Sequence, residues 1–319
     1  MVDDQPKPAP SRPSSTGSAR GSASHQSGDG SGSIRSLGFV AIGAAIAAAL
    51  VYWLTVSTRT GQLVGELILG GRPTSFDSIA AAEEVLSNLS RSSVVIGGVL
   101  AVVISVLQRR PRLALLAVAT IVGANLTTQL LKYLVLERTD LLGGLFYPLP
   151  NSFPSGHATA AASIAVALLI VVPPLLRAPW VIVSSVLVAA VGVSTLLAGW
   201  HRMADAVGGV FVATAWAAGL ASLLAWRRGV EPVGSRIAGL GRYSSTIPIF
   251  LGSLLVGLGG FAYLIAALDP LDVLRYLAER GGSPALFWVG VVLAAGTSLL
   301  ALGALAFALR NVRLDPRVR

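Results

Sequence analysis

His157 and His201 are the two histidines outside the N-terminal tail, which holds the third, His25, and they carry most of the chemistry this sequence can offer. His157 closes the polar stretch 151–158, Asn-Ser-Phe-Pro-Ser-Gly-His-Ala, which runs directly into a long apolar segment. His201 opens a second polar knot, His201-Arg202-Met203-Ala204-Asp205, set between two further apolar runs. An imidazole can work near neutral pH as base, acid or nucleophile, and a carboxylate that accepts from one ring nitrogen leaves the other free to act. Asp205 lies four residues beyond His201, a spacing that on a helix puts both on one face. Pro154 suits the start of a helix, and Ser155 and Gly156 leave backbone N–H groups accessible at its positive end, where an anion such as phosphate would settle. Lys132 and Arg138 upstream, and Arg202 beside His201, are cations within reach of the same chemistry.

The elements that must position these residues are membrane helices. Of 319 residues, 54% are hydrophobic and only 12% charged, a membrane protein's composition. Eight apolar runs, 37–56, 94–107, 113–136, 158–176, 180–199, 206–226, 247–268 and 286–309, predict an all-α polytopic bundle of about eight transmembrane helices. Two crossings separate His157 from His201, so both face one side. Asn125, Thr127, Thr128, Gln129 and Lys132 make the outer half of the third span polar, and such groups face a bundle interior. Residues 58–90 are polar enough to lie outside the bilayer; within them 78–89 has helical apolar spacing, fitting a helix at the mouth of a site or a structural loop helix.

The organisation expected is a disordered Ser/Gly/Pro-rich tail over 1–35, a six-helix membrane domain over 36–228, two added helices with their connector over 229–309, and a basic tail over 310–319. The tail has no apolar h-region, so it does not read as a cleavable signal peptide. Sixteen of the 24 Lys and Arg fall on one set of loops and tails, which the positive-inside rule puts in the cytoplasm with both termini; the two histidines then face outward, across what is expected to be the plasma membrane. With no cysteine, a disulfide framework, a thiolate metal site and a thiol nucleophile are excluded. No His, Asp and Glu cluster with metal spacing occurs, so no metal or cofactor is expected. The net charge of +9 comes from short clusters at the ends of apolar runs, without the aromatic interleaving of a nucleic-acid site. Oligomeric state is not written in the sequence.

Lys132, Pro154-Ser155-Gly156-His157 and Ser194 with His201 and Asp205 resemble the three motifs of the type 2 phosphatidic acid phosphatase family, K-x6-R-P, P-S-G-H and S-R-x5-H-x3-D. The second motif matches at every position. In the third, Thr195 stands where the family has arginine; in the first, Thr139 and Asp140 stand in place of Arg-Pro, and Arg138 is one position early. The resemblance implies a lipid phosphate phosphatase that needs no metal, with His201 as nucleophile, His157 as acid and Asp205 orienting His201 through a phosphohistidine intermediate. It implies phosphate contacts from Lys132, Arg138, Ser155, Gly156 and Arg202. Phosphatidic acid, phosphatidylglycerol phosphate and polyprenyl mono- or diphosphates all suit it as substrates. A phosphotransferase would use the same residues, and a non-catalytic membrane binding or scaffold protein would keep the same bundle.

Overall fold

The computed structural model describes residues 20–88, 91–143 and 151–316. Its helices, in chain order, are α1 (Arg20–Thr55), α2 (Arg59–Gly70), α3 (Phe76–Asn88), α4 (Arg91–Leu107), α5 (Pro111–Leu130) and α6 (Gly156–Val171). There follow α7 (Arg177–Leu197), α8 (Met203–Arg228), α9 (Ser235–Ala267), α10 (Leu271–Glu279) and α11 (Pro284–Leu309). Two three-residue strands, β1 (Val230–Pro232) and β2 (Val312–Leu314), pair antiparallel.

The eight apolar runs are α1, α4 to α9 and α11. Six of these are long and apolar enough to cross a membrane, and the chain is an all-α integral membrane protein. The other two are short. The helix α4 has 17 residues and, with α3, forms one apolar stretch bent by 45°. The run expected over 158–176 is helical only to Val171, because Pro173 and Pro174 cannot extend the ladder and hold Val172 extended. Sixteen residues rise about 24 Å, less than the ~30 Å of a hydrocarbon core.

The helix α6 is the hub. Thirteen of its sixteen residues are buried, six of them alanine, and these small side chains let α4, α5, α7 and α8 close around it. Closest of all is α8, at Gly208 and Gly209. A Cβ on Gly209 would lie 2.9 Å from the Ser155 carbonyl oxygen and the Thr159 nitrogen, and one on Gly208 would enter the Phe153 ring. Gly209→Val is therefore expected to lower stability in detergent by on the order of 1–3 kcal/mol. Gly219→Ala, where a Cβ meets only Ala41 at 3.8 Å, should unfold with the parent; thermal unfolding of both variants checks the crossing.

Several expectations are revised. The helix α1 begins at Arg20, inside the stretch read as an unstructured tail, since adding turns to an established helix is far easier than nucleating one; residues 1–19 lie outside the described residues. The last helices are no appendage: α11 packs against α7, α8 and α2, and α9 lies along α11. Nor is 310–316 a free tail. Val312 and Leu314 are buried, and Arg110 and Arg177 donate to the carbonyls of Leu314 and Asp315 and of Leu309 and Val312. That latch closes the end of the bundle remote from the histidines.

Two short helices lie where sequence suggests loop. Thr58 caps α2 by accepting from the Gly61 N–H at 3.0 Å. Leu63 and Leu67 of α2 are buried in one cluster with Leu274 and Ala278 of α10 and Phe287 of α11. An amphipathic cap thus covers the site end of the bundle.

Candidate active site

The polar half of α5 faces inward as expected. Asn125 donates to Ser163 at 3.1 Å, the Thr128 and Thr159 hydroxyls meet at 2.9 Å, and Trp216 donates its indole N–H to Thr127 at 3.0 Å. Beyond Leu130 the helix widens into a π-helical turn, Leu131–Val135, closed by the Leu136 N–H on the Leu131 carbonyl at 2.8 Å. Lys132 lies in this turn. Asn151 fastens the histidine loop to it, donating to the Lys132 carbonyl at 3.2 Å and the Leu136 carbonyl at 3.0 Å while accepting from the Phe153 N–H at 3.1 Å.

Ser155 is the N-cap of α6, its hydroxyl oxygen accepting from the Ala158 N–H at 3.4 Å. Its own N–H donates to the Asp205 carbonyl at 2.8 Å. That N–H was expected to bind phosphate; it is instead a strut between α6 and α8. Gly156, the first residue of α6, lines the cavity described below, and first-turn N–H groups have no acceptor within their helix.

His201 precedes the helix instead of lying on its face. Its N–H, like that of Trp200, donates to the Thr195 carbonyl at 3.1 Å, so the end of α7 holds the turn. Arg202 is the N-cap of α8, and Asp205 is its third residue. The buried Asp205 Oδ2 faces His201 Nδ1 at 3.3 Å and also accepts from the Arg202 N–H at 3.0 Å and the Ser152 hydroxyl at 2.5 Å. A carboxylate at this position satisfies first-turn donors and suits the helix dipole. It also favours a proton on Nδ1 of His201, leaving Nε2 with a lone pair.

His157, the second residue of α6, faces His201 with ring centroids 6.5 Å apart and planes at 66°. Trp200 flanks it at 5.6 Å. Both imidazoles, Gly156, Lys132 and Gln129 line an open cavity of about 810 Å³, with α3 as its far wall through Glu83, Leu86 and Ser87. The amphipathic helix foreseen over 78–89 therefore borders the mouth of the site.

Arg138 and Arg202 are placed elsewhere. Both donate to Glu66 Oε1 on α2, Arg138 Nη2 at 3.1 Å and Arg202 through Nε at 2.8 Å and Nη2 at 2.5 Å. Burial, and then the charge of Arg202, pull the Arg138 guanidinium down from its usual pKa, with Glu66 opposing. The two arginines line a separate small space behind Asp205, so among the described residues bordering the histidine cavity Lys132 is the lysine or arginine present. Sequence reasoning missed Glu66, Asn151 and Ser152 as site residues. The last two lay in the quoted stretch and could have been asked to hold the loop; Glu66 gave no signal.

Thr195 is fully buried, and its hydroxyl donates back to the Gly192 carbonyl at 2.7 Å. It does not border the histidine cavity. Thr195→Arg would force a guanidinium into a fully buried position, at a cost of about 3 kcal/mol or more; a drop in folded yield and unfolding temperature is expected, without a gain in turnover.

No curated protein and no solved structure matches the chain. Residues 92–229, which span α4 to α8 and contain Lys132, both facing histidines and Asp205, match the family model of the PAP2 superfamily. Over this segment, less than half of its length, the chain is similar to the PAP2 superfamily and is consistent with a member of it.

Proposed function

We propose that the protein is an integral membrane phosphatase that hydrolyses lipid phosphate esters through a phosphohistidine. The observation that carries this reading is the pair of imidazoles facing each other across one open cavity, one of them braced by a buried carboxylate. A ring separation of 6.5 Å leaves room for a phosphoryl group between them. Nε2 of His201 attacks phosphorus, and His157, protonated, gives its proton to the leaving ester oxygen as the P–O bond breaks. The alcohol departs with that proton. Water then attacks the phosphohistidine, His157 takes a proton from it, and phosphate leaves as His201 is restored. Lys132 and the Gly156 N–H at the start of α6 stabilise the charge on the phosphoryl oxygens.

The shortness of α6, whose first turn lines the cavity, and the apolar helices around it favour a substrate that stays in the membrane. The distribution of Lys and Arg favours cytoplasmic termini and a site on the external face of the plasma membrane. A second reading, a catalytically weak or inactive binding protein of the same fold, draws support from Thr139 and Thr195 at family arginine positions and from the capture of Arg138 and Arg202 by Glu66. Purified protein incubated with phosphatidic acid, phosphatidylglycerol phosphate, a polyprenyl phosphate and a polyprenyl diphosphate decides between them. Phosphate release from at least one is expected; none from any, with lipid binding retained, supports the second reading.

A further inference from the structure

Glu66 lies outside the family-matched segment, on a helix that sequence reads as loop, yet one of its oxygens accepts from two buried arginines. Arg202 needs such a partner more than most. It is the N-cap of α8, where the helix dipole is already positive, and its side chain is only 8% exposed. The side chains of Arg138 and Glu66 are 9% and 11% exposed. Behind Asp205, a space of about 10 Å³ is bordered by Arg138, Arg202, Asp205 and Tyr263 of α9, whose buried hydroxyl has no hydrogen-bond partner among the described residues. The charged groups bearing on this corner are therefore Arg138, Arg202, Glu66, Asp205 and, towards Arg138, Asp140.

If the charge of Glu66 were removed, the carboxylate bordering that space with both arginines would be Asp205. Its Oδ2 already serves His201, the Arg202 N–H and Ser152. A guanidinium drawn onto it would compete with Nδ1 of His201 for the acceptor that holds the ring in its productive tautomer.

We propose that Glu66 is a positioning residue of this site: by engaging Arg138 and Arg202 together, it keeps both off Asp205 and leaves that carboxylate to orient His201. The proposal rests on the reading of His201 as the nucleophile. It makes α2 a working part of the site instead of a lid, and gives the two displaced arginines a role other than gripping phosphate.

The test compares Glu66→Gln with a triple variant, Glu66→Gln, Arg138→Gln, Arg202→Gln, in full-length protein. Two readouts are taken: kcat and KM on whichever lipid phosphate the parent hydrolyses, and the tautomer of His201 by NMR of protein labelled with ¹⁵N-histidine. With three histidines in the chain, His157→Gln serves to assign the signals. The single variant should lose about tenfold or more in kcat with KM within about twofold, and His201 should leave the Nδ1–H form. The triple variant should recover both. A single variant with parental tautomer and kcat overturns the proposal, as does a triple variant that unfolds at the parental temperature yet is as impaired as the single one. Should Glu66→Gln fail to fold, the triple variant decides alone: folded with His201 in the Nδ1–H form supports the proposal, and loss of that form overturns it. If the parent hydrolyses none of the lipids, the proposed activity fails, while the tautomer readout still judges the role of Glu66.

Discussion

His201→Ala is expected to abolish phosphate release, by about a thousandfold or more, because it removes the atom that forms the covalent bond to phosphorus. The protein should still fold: the ring borders an open cavity, and the bond lost with it is the 3.3 Å contact to Asp205. His157→Ala should cost about 10²- to 10⁴-fold on a lipid phosphate, the range for losing a general acid. Its defect should shrink on an aryl phosphate, whose leaving group departs without a proton. His201→Ala should be equally inactive on both. Steady-state rates for the two variants on the two substrates assign the roles, and a His157→Ala defect that is the same on both would contradict its role as acid.

Asp205→Asn is the second large effect. The carboxylate collects the Ser152 hydroxyl, the Arg202 N–H and Nδ1 of His201, while the residue's carbonyl receives the Ser155 N–H that ties α6 to α8. All three bonds fall on Oδ2, so an amide can keep its oxygen on them, but a neutral oxygen is a weaker acceptor than a carboxylate and brings no negative charge beside His201. A fall in kcat of about a hundredfold is expected from the weakened orientation of His201, with about 1–3 kcal/mol of stability lost from the weakened hydrogen bonds. Turnover and thermal unfolding measured on one preparation separate the two. Parental kcat in Asp205→Asn would contradict the claim that this carboxylate orients the nucleophile.

What the sequence made legible follows from which signals are local. Apolar runs report membrane helices directly, so the eight apolar helices were readable, though not that α4 and α6 are short, and the histidines could be placed on one side by counting crossings. The motif spacing also located Asp205 beside His201, although the contact runs across the N-terminus of α8 and not along its face. Contacts made at long range were not legible. Residues 59–70 contain three glycines and a glutamate and look like loop, and they become a buried helix only because α10 and α11 supply apolar partners far along the chain. Glu66 meets Arg138 and Arg202 across 72 and 136 positions, a pairing that no spacing rule anticipates. The same carboxylate explains why Arg138 and Arg202, reasonable phosphate ligands by proximity in sequence, are turned away from the cavity. Ser155 taught a similar lesson, for its N–H is free in a helix considered alone and taken once α8 docks.

The most direct test of the central claim is to trap the intermediate. Purified protein mixed with a lipid phosphate carrying ³²P in its phosphoryl group, then quenched within the first turnovers in alkali, should retain label on His201 as a bond that resists base and breaks in acid. His157→Ala should still accept label from an aryl phosphate, and His201→Ala should accept none from either substrate. Phosphate release without protein-bound label, or label that persists in His201→Ala, would contradict a phosphohistidine at this position.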